Sequence, residues 1–188
     1  QSLSQQDSKL NKRLELILVT RKIILEYASQ RRTSLAKPLE EGFSEGFKLL
    51  SRKAKSVKNV QISTSDYSPS ITMDGYDGNW LERDLSATEK QHVGLSMLYA
   101  ICKLSRTALP VVVDTPVSRM DKEHKGWSVT KFYPQLSHQV IVLTTSDDLS
   151  NGLFDELKAS NCIGSQILLE ETGPATAKAV TKTLDEFF

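Results

Sequence analysis

A chain of 188 residues, 39% hydrophobic and 25% charged, is long enough to bury one sizeable core, and this composition excludes membrane-embedded, collagen-like and disordered classes. A formal charge of +1 gives no global attraction to nucleic acid or anionic lipid, but its distribution is uneven. Residues 1–60 carry 13 Lys/Arg against 6 Asp/Glu and residues 61–188 carry 11 against 17, so the front is basic and the back acidic. Cys102 and Cys162 lie outside any CxxC or His/Cys spacing for zinc, and read as reduced, buried thiols of a cytoplasmic protein. The polar stretch 1–11 lacks the apolar core of a signal peptide and lacks an initiator Met, as expected of a fragment. No uncharged run reaches the roughly 20 apolar residues of a membrane span, so no membrane partner is expected.

From residue 1 to about 36 there is no Gly or Pro, and Leu3, Leu10, Ile17 and Ile24 recur every seven residues, with Leu14 and Ala28 four beyond their neighbours. That spacing predicts a coiled-coil stub, imperfect at Asp7 and Arg21, or else an amphipathic helix packed on its own domain. From Leu14 onward, Leu16, Leu18, Val19, Ile23 and Leu25 make the helix apolar on several sides, which fits a coil entering a globular head at residues 37–188. Pro38 predicts a break, and Leu39, Phe43, Phe47 and Leu50 predict a second helix with one apolar face. Its basic tail, Lys48, Arg52, Lys53, Lys55 and Lys58, reads either as a solvated face or as a phosphate-contacting surface for DNA.

Residues 57–64 and 70–74 have strand composition, with Gly75 and Gly78 supplying turns, and suggest a short antiparallel pair. Helices and strands then alternate: helix 87–105, strand 109–113, helix 122–133, strand 139–144, helix 153–159, strand 165–170 and a closing helix from about 175. The alternation predicts an α/β fold with a mainly parallel sheet and flanking helices.

Val111, Val112 and Val113 form a β-branched run ending in Asp114, the composition of a strand buried on both faces. A carboxylate at the carboxyl end of such a strand can hold the water shell of Mg²⁺ beside nucleotide phosphates, although many α/β strands end in Asp. About 25 residues earlier, Leu85-Ser86-Ala87-Thr88-Glu89-Lys90-Gln91 opens a helix, with Ser86 and Glu89 at capping-box spacing. The bland reading is an N-cap; the sharper one is an anion site for a γ-phosphate.

The ordered segments LSATEKQ, VVVDTPVSRMD and QVIVLTTSDDL resemble the signature motif, Walker B with D-loop, and H-loop of ABC-type heads in SMC-like DNA repair ATPases. The likeness extends to the DndD family, the coiled-coil ATPases of the DNA phosphorothioation (sulfur-modification) system, through the D-T-P after the strand and the absent His in the last loop. It covers about residues 81–149. The resemblance implies the carboxyl-terminal lobe of an ABC/SMC-type P-loop ATPase head, with ATP and Mg²⁺ as cofactors and a head-to-tail homodimer formed on ATP. It further implies DNA and sulfur-modification proteins as partners. Ser86, Ala87, Thr88, Glu89 and Lys90 would face the opposing nucleotide, Asp114 would hold Mg²⁺ through water, Thr115 and Thr145 would stand at the hydrolytic positions, and Asp121 would lie in the D-loop. A general double-strand-break repair ATPase and a non-hydrolysing DNA clamp are the alternatives.

Three departures from the general ABC pattern imply slow hydrolysis. Ala87-Thr88 replace the usual Gly-Gly, Thr115 stands where a water-polarising Glu is usual, and Thr145 replaces the switch His. No G-x-x-x-x-G-K-[ST] occurs, since Gly42 and Gly46 are separated by three residues and followed by Phe47. The phosphate cradle is therefore expected on a separate Walker A lobe of the same parent protein, and this chain alone is expected to be inactive. His92 is read as a core or surface residue before a nucleotide contact, Trp80 and Trp127 as packing anchors before base-stacking platforms, Asp147 and Asp148 as a solvated loop before a place near the phosphate end, and Phe187-Phe188 as docked on the sheet before a free partner motif.

Overall fold

The computed structural model describes residues 2–105, 107–114, 120, 122–145, 148–149 and 152–182. Helix α1 (Ser2–Leu50) is unbroken for 49 residues, roughly 70 Å at the usual rise. The break expected at Pro38 is absent, and with it any helix end at the 36/37 boundary. Pro38 and Ser34, whose carbonyl loses its partner, both face solvent, so water can satisfy the orphaned group. Just beyond, Leu39, Phe43, Phe47 and Leu50 are buried on one face, and each such side chain is worth roughly 1.5–3 kcal/mol, together more than the proline costs. Between Leu10 and Leu35 the helix is largely bare, with Ile17, Ile24 and Leu25 all exposed.

After a 3₁₀ turn (Arg52–Ser56), capped where the Ser51 hydroxyl accepts from the Lys53 N–H at 3.2 Å, strands β1 (Val57–Ile62) and β2 (Pro69–Met73) pair antiparallel as expected. Val60, Ile62, Ile71 and Met73 alternate inward against Phe43 and Phe47. Helix α2 (Ala87–Leu104) packs closely on α1, because a Cβ on Gly42 would sit 2.8 Å from Ala100 Cα and one on Gly46 3.0 Å from Tyr99 Cβ. Small residues there let the two backbones touch. Trp80, Leu85 and Ala100 complete this first core.

A second core is built on Tyr99, Val111, Phe132, Tyr133, Leu136, Leu153 and Phe154. Strand β3 (Val111–Asp114) pairs in parallel with β4 (Val140–Leu143) through α3 (Lys122–Trp127), a π-helical turn (Ser128–Phe132) and α4 (Tyr133–Leu136). Helix α5 (Leu153–Ala159) follows with the expected bounds. The mainly parallel sheet is not what forms. Among the described residues there are three two-stranded sheets, and only β3–β4 is parallel. Nor is β3 buried on both faces: Val111 is buried, but Val112 is 60% exposed, and Ile141 and Leu143 are exposed beside it.

The closing helix is replaced by a hairpin, β5 (Gln166–Gly173) and β6 (Thr176–Lys182). Pro174-Ala175 acts as a turn rather than a helix start, and the register sets Leu168 opposite Val180 and Glu170 opposite Lys178, pairs that reward extended chains. Cys102 is half-buried and Cys162 exposed, both free, so burial of both thiols is also corrected. No helix among the described residues is long and apolar enough to cross a membrane.

Candidate functional site

The amino end of α2 carries the full capping box. The Ser86 hydroxyl accepts from the Glu89 N–H at 3.3 Å, and Glu89 Oε2 accepts from the Ser86 N–H at 2.9 Å. Glu89 does more than cap, because its other oxygen receives Lys53 Nζ at 2.6 Å and the Arg83 guanidinium. Both cations also lie over the Trp80 ring, Arg83 at 4.4 Å and Lys53 at 5.6 Å from its centroid. Partial burial pushes the Glu89 carboxyl up, but hydrogen bonds from Lys53 and Ser86 outweigh it and hold the group at about 2. The anionic cap is thus bound to the end of α1 through Lys53. Ala87 and Lys90 are exposed and Thr88 half-buried on the first turn, with Lys90 4.0 Å from Asp84.

Asp114 ends β3, exposed, directly opposite Leu143 in the parallel register. It makes no hydrogen bond or ion pair with the described residues. One or two carboxylates plus waters and phosphates are what Mg²⁺ takes, so Asp114 fits the metal's chemistry, whereas no cluster of three protein ligands exists among the described residues. Two residues past Leu143, Thr145 is exposed, and its hydroxyl donates to Asp148 Oδ2 at 3.1 Å. Asp148 is buried, which corrects its reading as a solvated loop residue. Thr115, Asp121, Asp147 and the terminal Phe187-Phe188 lie outside the described residues.

The structure therefore brings Asp114 and Thr145 to adjacent strand ends on the second core, while Ser86 and its cap belong to the first through Leu85 and Trp80. Gly42 and Gly46, packed inside α1 against α2, are not a phosphate loop. His92 is buried with its ring 5.1 Å from that of His124, and Trp80 is a packing anchor against Phe47. The basic tail is largely spoken for: Lys53 holds Glu89, Lys58 pairs with Asp74 at 3.2 Å, and Arg52 meets His124 at 3.2 Å. Sequence reasoning placed Lys53 only in the basic tail, missed that Asp148 is buried, and did not single out Arg83. Only Asp148 left a local signal, its T-x-x-D spacing from Thr145; the Lys53–Glu89 pair spans 36 residues and leaves none.

No family model matches the sequence, and no curated protein matches it. Among solved structures, 32 chains match. One, from a study of ATP-driven dimerization and DNA-stimulated activation of SMC ATPases, aligns with a TM-score of 0.58 and 19% identity over 84% of this chain and 91% of that one. The long first helix, the parallel β3–β4 pair and the helix crossing at Gly42 and Gly46 are thus elements of a chain that has the fold of an SMC ATPase.

Proposed function

We propose that this chain is the carboxyl-terminal part of an SMC-like ATPase head, residues 1–36 being a coiled-coil stub and 37–188 the lobe that carries the signature helix, Walker B strand and last loop. The observation that carries this reading is the ordered pair of a capped helix terminus at Ser86 and an exposed carboxylate at the end of a parallel strand at Asp114. The bare face of β3–β4 at Val112, Ile141 and Leu143 supports a Walker A lobe packed there.

ATP·Mg²⁺ would supply the phosphates that join two such heads on binding and the anhydride whose hydrolysis lets them part. This chain's residues do the rest. Asp114 would hold Mg²⁺ through its water shell. The Ser86 hydroxyl, which can donate while its oxygen caps the Glu89 N–H, faces the phosphate held by the opposing head and so makes binding and dimerisation one event. Glu89, neutralised by Lys53 and Arg83, keeps its own charge from repelling that phosphate. By resemblance the cycle serves DNA phosphorothioation with sulfur-modification proteins, or double-strand-break repair. Thr115 in place of a Glu favours one further reading, a nucleotide-gated DNA clamp that does not hydrolyse.

The test is a head reconstituted from this chain and its Walker A lobe, assayed for ATP turnover and for ATP-dependent sedimentation as a dimer. Asp114→Asn abolishes turnover with the fold intact, and Ser86→Arg prevents the dimer. A dimer trapped by ATP without turnover identifies the clamp. Turnover unchanged by Asp114→Asn refutes the metal assignment.

A further inference from the structure

We propose that Asp148 is a positioning residue for ATP hydrolysis, acting through Thr145 to make it the group that orients the attacking water; this rests on the ATPase reading above. The parallel register sets Asp114 beside Leu143, and Thr145 follows roughly 7 Å further along the chain, at the same end of the strand pair. A lone threonine hydroxyl at such a place rotates freely and can donate to phosphate as easily as accept from water. This one cannot. Its O–H points to Asp148 Oδ2 at 3.1 Å, its backbone N–H approaches the same oxygen at 3.4 Å, and the Asp148 N–H returns to the Thr145 carbonyl at 3.2 Å.

Asp148 is only 7% exposed, so solvent competes little for its carboxylate, and an ionised carboxylate accepts only. The Thr145 proton is thereby committed inward, and the exposed side of its oxygen presents lone pairs. An acceptor fixed in this way draws on one O–H of a water and turns that water's own lone pair away from itself, toward the γ-phosphorus of a nucleotide whose Mg²⁺ Asp114 would hold. It supplies the orienting contact that Thr115 lacks the carboxylate to make. In the step, the water oxygen bonds to the γ-phosphorus as the bond from phosphorus to the bridging oxygen breaks. The electron pair of that bond leaves on ADP, and both water hydrogens leave on H₂PO₄⁻. Thr145 and Asp148 end the step as they began it, with no net proton taken up.

Asp148→Leu removes the acceptor and leaves the Thr145 hydroxyl free to rotate, whereas Asp148→Asn keeps an amide oxygen on which the Thr145 O–H and N–H can still converge. In the reconstituted head, Asp148→Leu and Thr145→Val are each expected to lower kcat by up to about 10²-fold with KM and the ATP-dependent dimer retained. The double variant loses no more than either single, and Asp148→Asn and Thr145→Ser, which keep the acceptor and the hydroxyl, keep most of the rate. The proposal is overturned if Asp148→Leu keeps kcat within about twofold of the parent, if the two losses multiply, or if Thr145→Ser is as slow as Thr145→Val. Should Asp148→Leu fail to dimerise, Asp148→Ala takes its place in the same comparison. A parent head that neither dimerises nor turns over refutes the ATPase reading itself, and this proposal with it.

Discussion

Glu89 receives Lys53, Arg83 and the Ser86 N–H on one carboxylate, and that concentration of donors governs its titration. Burial opposes ionisation, yet the donors win and hold the group at about 2, below the ordinary Glu value of about 4.3 in an unfolded chain. A depressed folded value means that the stabilisation is fully present above the unfolded value and is lost as pH falls from about 4.3 toward 2. Glu89→Gln should lower stability at neutral pH by roughly 1–2 kcal/mol, since Lys53 is half exposed and partly screened, and should flatten this acid limb. Thermal melts across pH, followed by Trp80 fluorescence, measure both. An acid limb identical in parent and variant would assign the acid sensitivity to other carboxylates.

At the scale of elements, the crossing of α1 on α2 is decided by two absent side chains. A valine at Gly42 would need room that the Ala100 backbone already occupies, so Gly42→Val should cost about 1–3 kcal/mol in urea denaturation. Gly94, on the exposed face of the same α2, meets nothing within 4 Å, and Gly94→Ala should stabilise by about 0.5–1 kcal/mol. Two glycines with opposite signs separate packing from propensity. The loop between α1 and β1 makes a related point about charge. With Arg52, Lys53 and Lys58 engaged locally, Lys48 and Lys55 are the cations of that run without an ion pair among the described residues. If the run meets DNA, neutralising Lys48 and Lys55 should flatten the salt dependence of duplex affinity by about 0.9 unit each, while neutralising Lys58 should change it little. Equal effects at Lys55 and Lys58 would mean that the Asp74 pair opens on binding.

Among the described residues two cores are joined by α1 and α2, with the helix cap on one and the strand ends on the other. Neither core contains a glycine-rich loop for phosphates, since Gly42 and Gly46 are consumed by helix packing. The chain alone is therefore expected to bind ATP·Mg²⁺ too weakly for calorimetry, and to gain micromolar affinity only with a Walker A lobe packed on it. Micromolar binding by the 188-residue chain itself would overturn that division of labour.

Local chemistry determined a good deal here. The capping box at Ser86 and Glu89, the buried face Leu39-Phe43-Phe47-Leu50, the bounds of α5 and the strand ending in Asp114 all follow from spacing within about a dozen residues, where propensity, capping and alternation act. Tertiary structure decided what those rules cannot reach. Pro38 stays helical because burial further along α1 outweighs one lost hydrogen bond, and the chain past Gly173 is a hairpin because cross-strand pairs outweigh the helix propensity of its alanines. Lys53 reaches Glu89, and Asp148 is buried beneath Thr145, because packing brings distant or loop residues together and removes the water that would otherwise solvate them separately.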